Sequence, residues 1–451
     1  MNSRCLVLVA AWVLMGCEAE TTVDAGISDA SRTADARAQV DTSLSDASRT
    51  DAGVDVIDGW VARLQAGDAA AIVRAMHEQA WGGGFPIHEG ARWLFVTRQE
   101  DRPAQVSLVG EINGWATSRD VASRSADGLF HWVVIETSSF ASPALGSKYK
   151  WFVAGDYRTP LEATQYGFDE NGRFGWVMAP SDVAHLEQFP DHASAFLTDV
   201  RTVRAFVPAG FDAARARTLL LHDGQNVFHP DASFGGWRVD EALAARGNVL
   251  AVAIDNAPDR MDAYTQVQDD IGGGLIGGRA PEYLQLVQAE VLPFVRTHFG
   301  VQARGASLAM MGSSLGGLVT LFAASGDFED MACGAAMSST LGWGSIANGR
   351  SGMSTLIATW RGAPTAVYFD SGGNDGGGCF DSDADGVNDD SDDGDNYCVN
   401  LQLRDVLNAQ GYGSANLTYA WQMGAGHNEA AWASRAGAAL DACTRMGWIA
   451  P

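Results

Sequence analysis

Two kinds of apolar pattern divide the chain. Between residues 91 and 178, short apolar runs alternate with turn residues, which predicts an all-β, immunoglobulin-like sandwich. These runs cover residues 93–96, 106–109, 130–135 and 149–153. From about residue 183 to the end, buried strands alternate with helices, which predicts an α/β domain around a mostly parallel sheet. Its strands are expected at residues 201–207, 218–225 (a strand running into a loop), 248–255, 307–311, 363–369 and 417–423.

The residues before the sandwich are of three kinds. Residues 1–16 are typical of a signal peptide, because a positively charged start precedes an apolar run too short to span a bilayer. Cys17 completes a pattern similar to a bacterial lipobox and is the expected lipidation site, with ordinary signal-peptide cleavage as the alternative. Residues 17–57 are rich in Asp, Ala, Ser and Thr, which predicts a disordered acidic tether. Residues 58–182 then hold a helical segment and the sandwich, and residues 183–451 hold the α/β domain.

The charge narrows the partners. The chain has 451 residues and a formal net charge of −25, which disfavours binding to nucleic acid because phosphates would be repelled. The leader predicts export as a bacterial lipoprotein of the outer membrane or cell surface, with the lipid anchor as the membrane contact. The sequence does not indicate an oligomeric state.

Four of the six cysteines lie beyond the leader and the lipobox. An even number in an exported chain predicts disulfides. Cys379 and Cys398 are the favoured pair because their bond would close an acidic loop. Cys333 and Cys443 then form the second pair by elimination.

The strongest chemical signal is Gly312-x-Ser314-x-Gly316. A nucleophilic serine needs a sharp turn between a buried strand and a helix, and small residues two positions away on each side permit that turn. The apolar run 307–311 before it and the apolar helix 315–324 after it supply this context. Ser314 is therefore the predicted nucleophile.

A serine hydroxyl needs a base and an acid that orients the base. His427 is the predicted base, since it follows a strand on a glycine-rich loop near the C-terminus. Asp375, after the strand 363–369, is the predicted acid, and Asp370 is the alternative.

The developing oxyanion needs backbone donors. The N–H of Leu315, directly after the nucleophile, is one predicted donor because it begins a helix. The N–H of Gln225, in the loop after an early strand, is the other. His222 and Asp223 precede it, but no third ligand nearby completes a metal site.

Four motifs of the α/β domain occur together: residues 222–228 (HDGQNVF), 236–240 (GWRVD), 312–317 (GSSLGG) and 426–429 (GHNE). Together they resemble the esterase D and enterochelin esterase family of α/β-hydrolases. The resemblance implies hydrolysis of a small-molecule carboxylic ester through an acyl-enzyme, with no catalytic cofactor. Siderophore esters and acylated sugars are the substrates considered. Residues 109–115 (VGEINGW) are similar to the early-set, glycogen-binding-like modules attached to such enzymes.

Three questions stay open at this level. The tryptophans Trp115, Trp132 and Trp151 either pack inside the sandwich, which we favour, or stack on a ligand. A noncatalytic lipoprotein that binds a glycan or siderophore is an alternative to the esterase. Acyl transfer is a second alternative, because hydrolysis and transfer differ only in the acceptor.

The acidic insertion, residues 376–398, has the oxygen-ligand spacing of a calcium loop. Its candidate ligands are Asp381, Asp383, Asp385, Asp389 and Asp392, with Gly386 at the sharp reversal. So many unpaired carboxylates would repel each other, which favours a structural Ca²⁺ over a bare loop.

Removal of calcium should therefore destabilise the protein. Chelation by EGTA is expected to lower the melting temperature, because an ion bound only to the folded state shifts the folding equilibrium. Differential scanning fluorimetry measures this effect, and excess CaCl₂ should restore the original value. An unchanged melting temperature after EGTA would contradict the calcium site.

Overall fold

The structure is a computed structural model. It describes residues 55–451 apart from 229–231, 329, 346–352, 354–355, 357, 359, 361–364, 375, 383, 385 and 389–393. The predicted signal peptide, Cys17 and all but the last residues of the tether lie outside the described residues. None of the described helices is long and apolar enough to span a membrane.

Two short helices open the described chain. Helix α1 is Val56–Ala66. Asp55 is its N-cap, because the Asp55 carboxylate accepts free N–H groups of the first turn, and Gly67, in the left-handed region, is its C-cap. Helix α2 is Ala69–Gly82. Both helices place their apolar faces on a small antiparallel sheet, through a cluster that includes Trp60, Leu64 and Ile72 of the helices.

In the part of the chain that the structure describes, that small sheet has four strands. In spatial order they are β1 (Ile87–Glu89), β2 (Arg92–Arg98), β6 (Phe130–Glu136) and β5 (Ser123–Arg124). The opposite faces of β2 and β6 pack on a second sheet, so the two sheets form a sandwich. Trp151 is fully buried and Trp132 is 4% exposed, as expected for core residues, whereas Trp115 is half-buried.

Among the described residues, the second sheet has fourteen strands and continues from the sandwich into the α/β part. In spatial order they are β20 (Leu417–Trp421), β19 (Ala366–Ser371), β18 (Met331–Met337), β17 (Gly305–Ser313), β13 (Arg217–His222), β14 (Val249–Ile254), β12 (Arg201–Val207), β11 (His185–His192), β9 (Gln165–Asp169), β10 (Gly172–Trp176), β7 (Lys148–Val153), β3 (Val106–Gly110) and β4 (Asp120–Val121), with β8 (Asp156–Arg158) on β7. The strands from β20 to β14 are parallel and the rest are antiparallel. The sheet is continuous between the segments on either side of the predicted domain boundary at residue 182. That boundary stays a prediction.

Helices cover both faces of the parallel strands. They are α3 (Val239–Ala244), α4 (Arg260–Tyr264), α5 (Ala280–Leu286), α6 (Leu292–Phe299), α7 (Leu315–Phe322), α8 (Tyr397–Ala409) and α9 (Glu429–Arg445); a small hairpin, β15 (Gln268–Asp270) and β16 (Leu275–Gly277), precedes α5. Alternate strand residues face opposite layers: Leu220 packs towards the layer of α5 to α8, and Leu219 and Leu221 pack towards α3 and α9. The predicted α/β-hydrolase class is confirmed.

Strand β18 is absent from the sequence prediction because its residues are small rather than β-branched. Its Gly334 lies so close to α7 that an added Cβ would be 3.4 Å from the Thr320 Cγ2. The predicted helix 280–298 also differs, since a π-helical turn (Val287–Val291) separates α5 from α6. Pro293 cannot donate a backbone hydrogen bond, so the helical register shifts just before it.

Both predicted disulfides are present. Cys333 and Cys443 join β18 to α9, with their Cα atoms 5.6 Å apart. Cys379 and Cys398 join the loop after β19 to the first turn of α8, with their Cα atoms 5.3 Å apart.

A buried carboxylate cross-links the antiparallel part of the sheet. Glu187 on β11 is 5% exposed. It accepts a hydrogen bond from Gln165 Nε2 at 2.8 Å and lies 3.2 Å from His185 Nε2 and 3.1 Å from His298 Nε2. Burial opposes the charge, but the hydrogen bonds from both histidines and the glutamine outweigh it and lower the pKa of Glu187 to about 2.

Replacement of Glu187 by Gln should therefore destabilise the protein at neutral pH, by on the order of 2 kcal/mol. A lowered folded-state pKa stabilises the fold above the unfolded pKa, and this gain is lost as the pH falls towards 2. The difference in melting temperature between wild type and E187Q is thus expected to narrow from pH 5 to pH 2. The exposed control variant E78Q should melt like the wild type. An equal difference in melting temperature at both pH values would contradict the lowered pKa of Glu187.

Candidate active site

The candidate residues gather at one edge of the parallel sheet. Strands β13, β17, β18 and β19 run in the same direction and end at His222, Ser313, Met337 and Ser371. The loops at the carboxyl ends of parallel strands therefore meet, as in other open α/β sheets. The predicted nucleophile and the loop of the predicted oxyanion donor lie at this edge.

Ser314 stands on a strained turn between β17 and α7. Its φ is 55° and its ψ is −124°, a backbone conformation that serine rarely adopts. A Cβ on Gly312 would lie 2.3 Å from the Gly316 carbonyl oxygen, so only glycine fits at that position. The geometry is that of a nucleophile elbow, and the Ser314 Oγ lies 3.2 Å from the Thr340 Oγ1.

His427 lies on the loop before α9 and contacts a buried carboxylate. Its Nδ1 is 2.7 Å from the Asp395 Oδ1. The Trp432 ring, one turn into α9, packs edge-on against the imidazole with the ring centroids 5.0 Å apart. Asn428 caps α9 by accepting the N–H of Ala431. The imidazole is thus fixed by a carboxylate on one side and an indole on another.

The carboxylate that holds His427 differs from the predicted one. Asp375 lies outside the described residues, and the contact with His427 belongs to Asp395. The alternative, Asp370, is turned away: its Oδ2 accepts from the Tyr368 hydroxyl at 2.8 Å, and burial raises its pKa to about 6. The predicted acid follows β19 closely in the chain, whereas the carboxylate that contacts His427 lies much later, just before α8.

Asp395 is held by several donors although its side chain has no exposed surface. Its Oδ2 accepts from the Ser338 hydroxyl at 2.8 Å and from the Gly372 N–H. The Arg435 guanidinium lies between two carboxylates, with Nη2 3.4 Å from the Asp395 Oδ2 and Nε 3.2 Å from the Asp370 Oδ2. Arg435 also donates to the Ser338 Oγ at 2.7 Å. One buried cation therefore compensates two buried anions.

The predicted oxyanion donors lie on two loops that pack together. Leu315 is the first residue of α7, and Gln225 lies in a 3₁₀ turn, Gly224–Asn226, directly after Asp223. A Cβ on Gly316 would lie 3.3 Å from the Asp223 Oδ2, which shows how close the two loops are. The role of the Leu315 and Gln225 N–H groups as oxyanion donors stays a prediction.

His222 belongs to the core beneath this site. Burial lowers the pKa of His222 to about 4, which keeps the imidazole neutral, and its Nδ1 lies 2.8 Å from the Tyr283 hydroxyl oxygen. Among the described residues, no group of three or more His, Cys, Asp or Glu side chains is arranged to hold a metal.

The calcium loop is only partly described. Asp383, Asp385, Asp389 and Asp392 lie outside the described residues, and the Asp381 carboxylate accepts the N–H of Gly386 at 2.9 Å. The calcium site stays a prediction.

A family model described as "Putative esterase" matches residues 194–440, which is more than half of the chain. The chain belongs to this esterase family. The matched segment contains Ser314, Asp395 and His427. The predicted enzyme class, a serine ester hydrolase, is confirmed.

Several solved structures of esterases are similar to this chain at low identity. The siderophore hydrolase EstA from Aspergillus nidulans is 19% identical, covers 57% of this chain and 94% of its own, and has a TM-score of 0.44. The enterobactin esterase FES from Shigella flexneri is 15% identical, covers 78% of this chain and 92% of its own, and has a TM-score of 0.42. The S-formylglutathione hydrolase FrmB from Staphylococcus aureus is 12% identical, covers 58% and 99%, and has a TM-score of 0.39. No curated protein matches this esterase.

The contact between His427 and Asp395 yields a prediction that separates the two candidate acids. Replacement of Asp395 by Asn should lower kcat about 10³- to 10⁴-fold, because an amide cannot hold the imidazole tautomer or balance the imidazolium charge. The matched variant Asp375→Asn should keep most of the activity. Both are measured as p-nitrophenyl acetate hydrolysis, with circular dichroism to verify folding. A large loss in D375N with little loss in D395N would reverse the assignment.

Proposed function

We propose that this protein hydrolyses a carboxylic ester through an acyl-enzyme, with Ser314 as nucleophile, His427 as general base and Asp395 as the orienting acid. The observation that carries the proposal is the 2.7 Å contact between the His427 Nδ1 and the buried Asp395 Oδ1. Ser314 occupies the strained backbone conformation that a nucleophile elbow requires. A base with its acid, and a nucleophile on such a turn, are the parts of a hydrolytic triad.

The proposed reaction has two halves. The Ser314 Oγ attacks the ester carbonyl while the His427 Nε2 accepts the hydroxyl proton, and the N–H groups of Leu315 and Gln225 stabilise the oxyanion. The tetrahedral intermediate expels the alcohol, which takes the proton from His427, and leaves an acyl-Ser314 ester. A water molecule, deprotonated by His427, then attacks the acyl carbon, and the acid leaves as Ser314 regains its proton.

Asp395 has a definite part in this scheme. Its Oδ1 accepts the Nδ1–H of His427, so the Nε2 faces the nucleophile without a proton. The donors on its other oxygen, from Ser338 and Gly372, hold the carboxylate in this orientation. The proton therefore moves between the Nε2 and the reacting oxygens of Ser314, the alcohol and the water, and does not pass to Asp395.

The substrate and location are the less specific parts of the proposal. A siderophore ester or an acylated sugar is the substrate class that the motif resemblance supports. Export is supported by the leader, and the two disulfides agree with an oxidising compartment. A panel of catecholate, feruloyl, acetyl-sugar and aryl esters tests the substrate, and fractionation of expressing cells tests the location.

The direct test of the proposal is removal of the nucleophile. Ser314→Ala should lower kcat for p-nitrophenyl acetate at least about 10³-fold and abolish labelling by a serine-directed phosphonate. Ser313→Ala, one residue earlier in β17, is the matched control and should retain both properties. An S314A variant as fast as the wild type would reject the proposal and favour the noncatalytic binding protein.

A further inference from the structure

The loop that carries the predicted donor Gln225 begins with an unusual residue. Asp223 follows β13 directly and has φ 56° and ψ 49°, in the left-handed region. Residues other than glycine are uncommon in this region, although aspartate is enriched there, and the conformation is maintained by contacts with the surroundings. The conformation of Asp223 turns the chain out of β13 and into the 3₁₀ turn Gly224–Asn226. The direction of the Gln225 N–H therefore depends on Asp223.

Four hydrogen bonds with Tyr264, Asn256 and Arg260 hold Asp223. Its N–H donates to the Tyr264 hydroxyl oxygen at 3.1 Å, and its Oδ1 accepts from the Asn256 Nδ2 at 2.6 Å. The Arg260 guanidinium binds both oxygens, with Nε 2.7 Å from Oδ1 and Nη2 2.9 Å from Oδ2. Asp223 is only 3% exposed. Burial disfavours its charge, but the Arg260 charge outweighs that effect, so the pKa of Asp223 lies below its ordinary value.

The segment after β14, which carries Asn256 and Arg260, also holds Gln225. Asn256 and Arg260 lie just after β14, the strand that pairs in parallel with β13. The Asn256 N–H donates to the Gln225 Oε1 at 3.0 Å. The segment 256–260 therefore forms hydrogen bonds with both Asp223 and Gln225. Asp223 in turn lies against Gly316 of the elbow.

We propose that Arg260 is a positioning residue for ester hydrolysis, which acts through Asp223 to fix the Gln225 N–H in the oxyanion hole. The inference rests on the proposed function. A bidentate guanidinium–carboxylate pair fixes direction as well as distance, which a single hydrogen bond does not. Donors aimed at the oxyanion before the reaction lower the barrier because they need no reorganisation.

The test compares variants of Arg260 with a remote pair of the same kind. R260Q is expected to slow acylation about 10- to 100-fold, with substrate affinity changed only a few-fold, because the donor serves the transition state more than the ground state. R260K should recover part of the rate, since an ammonium keeps the charge but not the bidentate fork. The matched control is R246Q, because Arg246 forms a bidentate pair with Asp441 far from the carboxyl edge of the sheet. R246Q should acylate at the wild-type rate.

A glycine at position 223 distinguishes the contribution of the Asp223 backbone conformation from that of its carboxylate. Glycine adopts the left-handed conformation freely, so Asp223→Gly keeps the turn and removes the carboxylate that Arg260 holds. We expect D223G to lose about as much acylation rate as R260Q. Acylation rate and affinity come from stopped-flow measurement of the p-nitrophenolate burst, and thermal melts accompany each variant.

The outcomes distinguish this inference from the proposed function. An active S314A variant defeats the proposed function itself. An inactive S314A variant beside R260Q and D223G at the wild-type acylation rate leaves the esterase intact and overturns the role of Arg260. Equal losses in acylation for R246Q and R260Q would also overturn it, because the effect would then be general destabilisation. If R260Q does not fold, R260K at the wild-type rate overturns it.

Discussion

The proposed active site depends on the contact between the His427 Nδ1 and the carboxylate of Asp395, whose side chain has no exposed surface. Transfer of a lone carboxylate into such surroundings is expensive, and the protein compensates with the Ser338 hydroxyl, the Gly372 N–H and the Arg435 guanidinium. The orientation of His427 therefore depends on groups from three separate parts of the chain.

The parallel sheet brings these groups together. Ser338 follows β18, Gly372 follows β19 and Arg435 lies on α9, so the acid is bound by the ends of two strands and by a helix. Helix α9 contributes at two further points, since Trp432 packs against His427 and donates to the Ser338 Oγ at 3.0 Å. Side chains that are far apart in sequence meet at the candidate active site because the parallel strands that carry them end at one edge of the sheet.

The sequence was a good guide to the features that follow local rules. The turn at Ser314 has glycine at 312 and 316, and the helices and strands of the α/β part alternate visibly in the sequence. The role of His427 as the base stays a prediction. Contacts of long range were harder to predict. No local sequence pattern distinguishes Asp395 from the many other aspartates. Its contact with His427 depends on where the loop before α8 returns to the sheet.

Other features escaped prediction for different reasons. Strand β18 lacks β-branched residues because α7 packs close to it, and Arg260 resembles any solvent-facing arginine until Asp223 is seen opposite. The continuous sheet from the sandwich into the α/β part also has no sequence signal, because edge pairing of β9 with β11 depends on tertiary position.

The two disulfides have a consequence for how the enzyme matures. Cys398 lies in the first turn of α8, just after Asp395, and Cys443 lies on α9, the helix that follows His427. Each disulfide thus joins the segment of one proposed triad partner to the body of the protein. In a newly made chain whose thiols are still reduced, only noncovalent contacts hold these two segments, so their order depends on oxidation of the four cysteines.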